Sequence, residues 1–361
     1  MLDKCKISDR NATGLLISFL EAIGMDASQY IINRTSIKQK REKFREDRAA
    51  EIQHRLKNTE LSRLIIHWDG KNLPDITGRN FIERLPIIIS AEKETKLLSI
   101  PKLENSTGRA MTDAVFDALQ EYGISEFVVG LCCDTTASNT GQFNGAAVLI
   151  EQALERDLLL LPCRHHILEV VLKAVFDCQI FNSSGLNVPL FVRFRKEWDA
   201  LDLTKFESGI NDPIIYNILE NDILDILEFA ETQLTLNHDR DDYLELLKLT
   251  LIFIGVVPDN VVFRVPGAMH QARWMAKAIY SLKIFLLRST FKLTSNEQKS
   301  LGMICVFIVK IYVKIWFMAS SSIKASNCDF QLIQSIYNFQ SIDKKLSSAA
   351  LKKILNHSWY L

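Results

Sequence analysis

The pattern of apolar and polar positions changes character twice along the chain. In residues 1–58 apolar positions recur at helical spacing between long polar stretches, and "SDRNATGLLISFLEAIGMD" offers Ser8 or Asp9 as an N-cap. From residue 61 the texture becomes compact apolar runs bounded by charged turns. "LSRLIIHW", "RLPIIIS", "TKLLSIPKL", "EFVVGLCC" and "LLLLPC" predict five strands. "STGRAMTDAVFDALQEYG" predicts a helix with Met111, Val115 and Leu119 on its apolar face and a stop at Gly123. "NGAAVLIEQALERD" and "HHILEVVLKAVF" predict two more helices, giving the order βββ-α-β-α-β-α. After about residue 178 the strand signals largely stop, and four long stretches read as helices. The pattern therefore predicts three regions: 1–58 helical and partly basic, 59–178 α/β, and 179–361 all-helical.

Composition narrows the class. The chain has 361 residues, 48% hydrophobic and 24% charged, enough for a sizeable core. Its 43 basic and 43 acidic residues cancel, so only a local patch can argue for nucleic acid. One candidate is Arg34–Lys57, with nine basic residues, but interleaved acids such as Glu42 after Lys38 suit a solvated helix with i,i+4 pairs. The seven scattered cysteines fit a reducing compartment, and the N-terminus lacks the apolar core of a secretory signal. A nuclear or cytoplasmic protein is expected. "LGMICVFIVKIYVKIWFMAS", 301–320, is long enough to span a bilayer, but Lys310 and Lys314 would share one helix face. A buried amphipathic helix, with no membrane partner, is the expectation.

Two acids stand where chemistry is expected. Asp69 follows the first predicted strand and Asp134 the fourth, and a turn of hydroxyls and one amide, Thr135 to Thr140, follows Asp134. Three strands, a helix and a fourth strand packed beside the first is the order of a ribonuclease H-like mixed sheet. There the ends of the first and fourth strands lie side by side, which would bring Asp69 and Asp134 together. Two carboxylates so placed need a cation between them, and hard oxygen ligands suit Mg²⁺ or Mn²⁺. The plain alternative is that Asp134 caps Ala137 or Ser138, and that Asp69 sits in an ordinary turn shared with Asp75.

Three stretches together, "CDTTASNTG", "LPCRHHILEVVL" and "PGAMHQARWMAKAIY", resemble transposases of the hAT superfamily and the domesticated genes derived from them, over roughly 61–361. The resemblance implies that Asp134, with Asn139 after it, is the second catalytic acid and Asp69 the first. Cys163 and His166 would be the family's C-x-x-H pair. Arg273 and Trp274 would be its Arg-Trp pair, an aromatic that stacks on an unstacked base beside a guanidinium that holds phosphate, with Lys277 and Lys283 extending a basic face. The C-terminal helices would be part of the family's helical insertion. It further implies metal-dependent DNA strand cleavage and transfer, with DNA as partner and a homo-oligomer as the working form.

The chain departs from that pattern in two ways. The third acid, a Glu on a helix after the insertion, does not announce itself: Glu297 lies in a polar turn, and Glu169 stands where other ribonuclease H-like enzymes, though not this family, carry theirs. The N-terminus has no zinc-finger cysteine pattern. The expectation is a transposase-derived chain, partial or a remnant, with impaired cleavage; the alternative is a non-enzymatic DNA- or protein-binding module. On their residues alone, Cys163 and His166 also read as a buried pair fixing a strand–helix junction or, with Cys132 or Cys133, as a zinc site. Trp274 reads equally as core packing.

Overall fold

The computed structural model describes residues 7–57, 63–74, 80–91, 95–180, 188–238, 240–259, 261–267, 275–319 and 324–358, with Leu2 and Cys5. They divide into two compact units, residues 1–63 with 115–128, and residues 64–114 with 129–361.

In the first unit, α1 (Asp9–Ala22) begins where the Ser8 hydroxyl accepts the Asn11 amide at 3.2 Å. The bond satisfies a backbone donor that has no partner inside the helix. At the entry to α2 (Arg34–Lys57), Ser36 N–H donates to Asn33 Oδ1 at 2.9 Å and Asn33 N–H to Ser36 Oγ at 3.0 Å. Arg41 ties the two helices, donating to Asp9 at 2.7 Å and to the Ile7 carbonyl at 3.0 Å. Lys38 and Glu42 pair at 3.7 Å, both exposed, as the i,i+4 reading expected. The second half of α3 (Gly108–Tyr122) belongs here too. It ends at Gly123, φ 64°, whose left-handed backbone lets Gly123 N–H reach Gln120 O and Ile124 N–H reach Leu119 O.

The second unit is mixed α/β. After β1 (Leu64–Trp68) the chain makes a short antiparallel ribbon of β2 (Lys71–Pro74) and β3 (Phe81–Arg84) that stands apart from the main sheet. Then come β4 (Ile87–Ser90), β5 (Thr95–Ser99), β6 (Val128–Cys132) and β7 (Leu159–Leu160). The sheet order is β5-β4-β1-β6-β7. β1 with β4 and β4 with β5 are antiparallel, and β6 with β7 is parallel, so the sheet is mixed. Counted along the chain, its five strands stand in the order 3-2-1-4-5. The strands predicted from the apolar runs are these five. The ribbon was not predicted: "KNLP" and "FIER" are short and lack period-2 alternation.

Between and after the strands lie α4 (Ala137–Thr140), α5 (Ala146–Leu154) and α6 (Arg164–Gln179). Then follow α7 (Pro189–Glu197), α8 (Pro213–Leu219), α9 (Ile223–Thr235), α10 (Asp241–Phe253) and α11 (Ala276–Leu286). α12 (Ser295–Phe307), a π-helical turn at Ile308–Tyr312 and α13 (Val313–Met318) run on as one 24-residue rod, and α14 (Ala325–Asn338) and α15 (Lys344–Leu355) close the chain. The rod is apolar and long enough to cross a membrane, but 72% of its most apolar stretch is buried within the protein, which makes it a core helix. One apolar core runs from Ile167 of α6 to Ile354 of α15, and Phe176, Phe191, Tyr280, Tyr312 and Trp316 are among its fully buried side chains. Helix starts follow local chemistry: Asp212 and Asp343 cap α8 and α15, and Thr294 with Glu297 forms a capping box on α12.

Candidate functional site

β6 is buried from Gly130 to Cys132, Cys133 is buried after it, and Asp134 is the next residue to emerge. Its Oδ1 accepts three bonds: from Thr136 N at 3.0 Å, Thr136 Oγ1 at 2.7 Å and Asn139 Nδ2 at 2.7 Å. The capping expected toward Ala137 or Ser138 thus falls one residue earlier, on Thr136, because the side chain closes an Asx turn on the residue two ahead. Among the described residues no donor reaches Oδ2. Burial raises the Asp134 pKa, but the bonds from Thr136 and Asn139 and the charge of His166 outweigh it, and the carboxyl ends below its ordinary value. It is an ionised group with one oxygen engaged and one open.

Asn139 is buried and joins two strands: its Oδ1 accepts the Trp68 indole N–H at 2.8 Å, while its Nδ2 serves Asp134. Trp68 is the last residue of β1, which neighbours β6 in the sheet. Asp69, one residue on, is about half exposed and pairs with Lys71 at 2.5 Å. The two acids therefore emerge from neighbouring strands, linked through Trp68 and Asn139.

The strand–helix junction after β7 completes the edge. Cys163 N–H donates to Cys133 O at 2.7 Å, and Cys163 is the N-cap of α6. Burial raises the Cys163 thiol pKa; the backbone N–H groups of His166 and His165 oppose it, and the Asp69 charge adds to it. Asp69 is thus within electrostatic reach of Cys163. Burial likewise pushes the Cys133 thiol up, so both sulfurs are protonated and chemically quiet. His166 Nε2 bonds Thr135 Oγ1 at 2.9 Å, beside Asp134. His165 turns elsewhere, stacking on Trp316 with ring centroids 4.1 Å apart. The Cys163 backbone N–H and the His166 ring each bond the segment after β6, and among the described residues no group of three or more His, Cys, Asp or Glu gathers as a metal cage.

The backbone around the turn is packed too closely for side chains. A Cβ on Gly108, at the start of α3, would lie 2.2 Å from Asn144 O and 2.8 Å from Ser138 O. A Cβ on Gly145 would lie 2.4 Å from Gly141 N and 2.8 Å from Asn139 O. Thr112 adds a bond from its hydroxyl to Gly108 O at 2.8 Å.

The candidates for a third acid have other duties. Glu169 is half-buried on α6, where its Oε1 accepts Tyr312 OH at 2.5 Å and Met275 N at 2.9 Å. Burial raises its pKa against those bonds and the charge of Lys277. Glu297 closes the α12 capping box and pairs with Arg193 at 3.1 Å. Arg273 and Trp274 lie outside the described residues, as does Asp75. The basic face expected beside them is not formed by Lys283: that side chain is buried in the core, paired with Glu245 at 2.5 Å and donating to Arg264 O at 2.7 Å. An apolar helix register, not a surface, decides its position.

Sequence reading missed Trp68 and Thr136. Trp68 read only as strand filler, and a bond to a residue 71 positions away leaves no local signal. No protein-family model matches the chain, and no curated protein matches it.

Proposed function

We propose that this chain is a hAT-like, transposase-derived DNA-binding protein with a ribonuclease H-like core, in which Asp69 and Asp134 bind Mg²⁺ or Mn²⁺ and strand cleavage and transfer are impaired. The observation that carries this reading is the 3-2-1-4-5 mixed sheet with its two acids following neighbouring strands, β1 and β6. A hard divalent cation would suit the donor set: among the described residues no donor reaches Asp134 Oδ2, and Asp69 pairs with a half-exposed lysine, an ion pair worth little in water. Such an ion, when bound, would polarise a phosphoryl oxygen and activate water. Thr136 and Asn139 would keep the Asp134 carboxylate oriented, and His166 would steady Thr135 beside it.

Impairment is proposed because Glu169 and Glu297 are spent on structure, and no third carboxylate joins the pair among the described residues. The same observation favours a second reading, a non-enzymatic DNA- or protein-binding module that keeps the fold. Arg273 and Trp274 remain the proposed DNA-end contacts, and a homo-oligomer the proposed assembly.

The test is a DNA-binding and cleavage assay with the full chain. Binding that falls steeply with salt, with Trp274→Ala harming a frayed end more than a blunt duplex, and little Mn²⁺-dependent nicking, is expected. Salt-independent or undetectable binding would overturn the DNA reading, and efficient nicking lost in Asp134→Asn would overturn the impairment.

A further inference from the structure

The carboxylate of Asp134 and the indole of Trp68 have opposite, inflexible demands. An indole N–H only donates, and an ionised carboxylate only accepts. The group between them must accept on one side and donate on the other, and a primary amide does so through two separate atoms. Asn139 stands there, 5% exposed, with Trp68 3% exposed. The orientation of its amide is dictated by the partners on either side. Aspartate at 139 would face Asp134 with a second negative charge, and leucine would strand both polar groups in a buried place.

The consequence falls on the two oxygens of Asp134. Asn139 Nδ2, Thr136 N and Thr136 Oγ1 all converge on Oδ1. That rotamer is fixed from β1, through a helix start that Gly108 and Gly145 pack tightly. Among the described residues none of the three donors engages Oδ2.

We infer that Asn139 is a positioning residue that couples Trp68 to Asp134, engaging Oδ1 so that Oδ2 alone is presented to a divalent cation. The cation half of this rests on the function proposed above; the coupling half rests on the bonds themselves. Partners that orient a metal ligand are worth roughly 10–100-fold in affinity when removed. Trp68→Phe removes the indole N–H and part of the ring system while keeping an aromatic ring in the core, so its loss of volume is monitored by the melting curve beside its effect on the coupling.

The experiment uses the full chain with ¹⁵N-labelled tryptophan. Indole N–H resonances are recorded for wild type, Asp134→Asn and Asn139→Ala, with Trp68→Phe identifying the Trp68 signal. Mn²⁺ uptake is followed by electron paramagnetic resonance on the same samples. Asp134→Asn should move the Trp68 resonance and leave other indoles in place. Asn139→Ala should weaken Mn²⁺ binding about tenfold, and Trp68→Phe severalfold, with cooperative melting retained in both. A Trp68 resonance indifferent to Asp134→Asn overturns the coupling. Mn²⁺ affinity unchanged in both folded variants, while Asp134→Asn abolishes it, overturns the positioning role but leaves the metal site standing. A wild type that takes up no Mn²⁺ sinks the metal reading, and the Trp68 response then decides the coupling alone.

Discussion

Asp134 and Glu169 are the same functional group in two regions, and the fold treats them oppositely. Burial is the largest influence on both, and in both it favours the neutral acid. At the sheet edge, the donors on Oδ1 and the nearby His166 charge outweigh burial, and Asp134 is held ionised. In the helical core, burial outweighs the Tyr312 hydroxyl, the Met275 amide and the Lys277 charge, and the Glu169 pKa rises. One carboxylate keeps an oxygen that no donor among the described residues reaches; the other spends its acceptor on the start of α11 and on the π-helical turn. A buried acid with a raised pKa is often taken as the mark of a functional site. Here the acid with the lowered value closes a turn at a strand end, and the raised one ties two helical segments together.

The comparison can be broken at several points, the strongest first. Glu169→Leu strands the Tyr312 hydroxyl and the Met275 amide in the core, which should cost about 2–4 kcal/mol in chemical denaturation. Glu169→Gln keeps an acceptor and should stay within about 1 kcal/mol of wild type. Because the folded pKa of Glu169 is raised, its stabilisation is complete below the ordinary carboxyl value near 4.5 and fades as pH rises above it. The glutamine variant should lose that slope; an unchanged slope would show that Glu169 titrates as it does in the unfolded chain.

His67 on β1 gives the sheet its own pH signature. Burial lowers its pKa from 6.5 to about 4, and Nε2 bonds Ser90 Oγ at 2.7 Å. A histidine with a depressed folded value stabilises fully above its unfolded pKa and less as pH falls toward the folded one. Stability should therefore decline from pH 6.5 to pH 4, by up to about 3 kcal/mol. His67→Leu should flatten this decline in thermal melts, and an equal slope in that variant would contradict it.

Gly108→Ala forces a Cβ against backbone carbonyls and should cost about 1–3 kcal/mol, measured as a shift of the denaturation midpoint. Last comes Lys71→Ala, which removes a half-exposed ion pair and should change stability by less than about 0.5 kcal/mol. A loss of more than about 1 kcal/mol would mean that Asp69 is held more firmly than a cation site can use.

Much of the fold was legible because the sheet strands are buried on the pattern sequence can display. "LIIHW", "IIIS" and "VVGLC" are apolar runs between charged turns, and Ser8 and Gly123 mark helix ends by local chemistry, whereas the polar turn read around Glu297 is the capped start of α12. The ribbon of β2 and β3 was not legible, since its two four-residue strands, one ending in Pro74, carry no alternation. The π-helical turn at Ile308–Tyr312 was hidden too: in a helix apolar on nearly every side, one extra residue in a turn leaves the pattern unchanged. At the site, Asp134 announced itself by ending a buried strand, and Cys163 and His166 by spacing. The partners that give those residues meaning, Trp68 for Asn139 and Tyr312 for Glu169, lie 71 and 143 positions away and are set by packing. Lys283 was misread for the same reason, because its charge suggested a surface and its partner Glu245 lies on another helix.

The central claim is that the edge holding Asp69 and Asp134 binds a divalent cation. Its most direct test is the thermal stability of the full chain titrated with Mn²⁺, wild type against Asp134→Asn. The account expects the wild type to gain stability in proportion to the logarithm of Mn²⁺ above its dissociation constant, and the variant to gain none. An equal response in both proteins, or none in either, would contradict it and leave Asp134 as the residue that closes a turn.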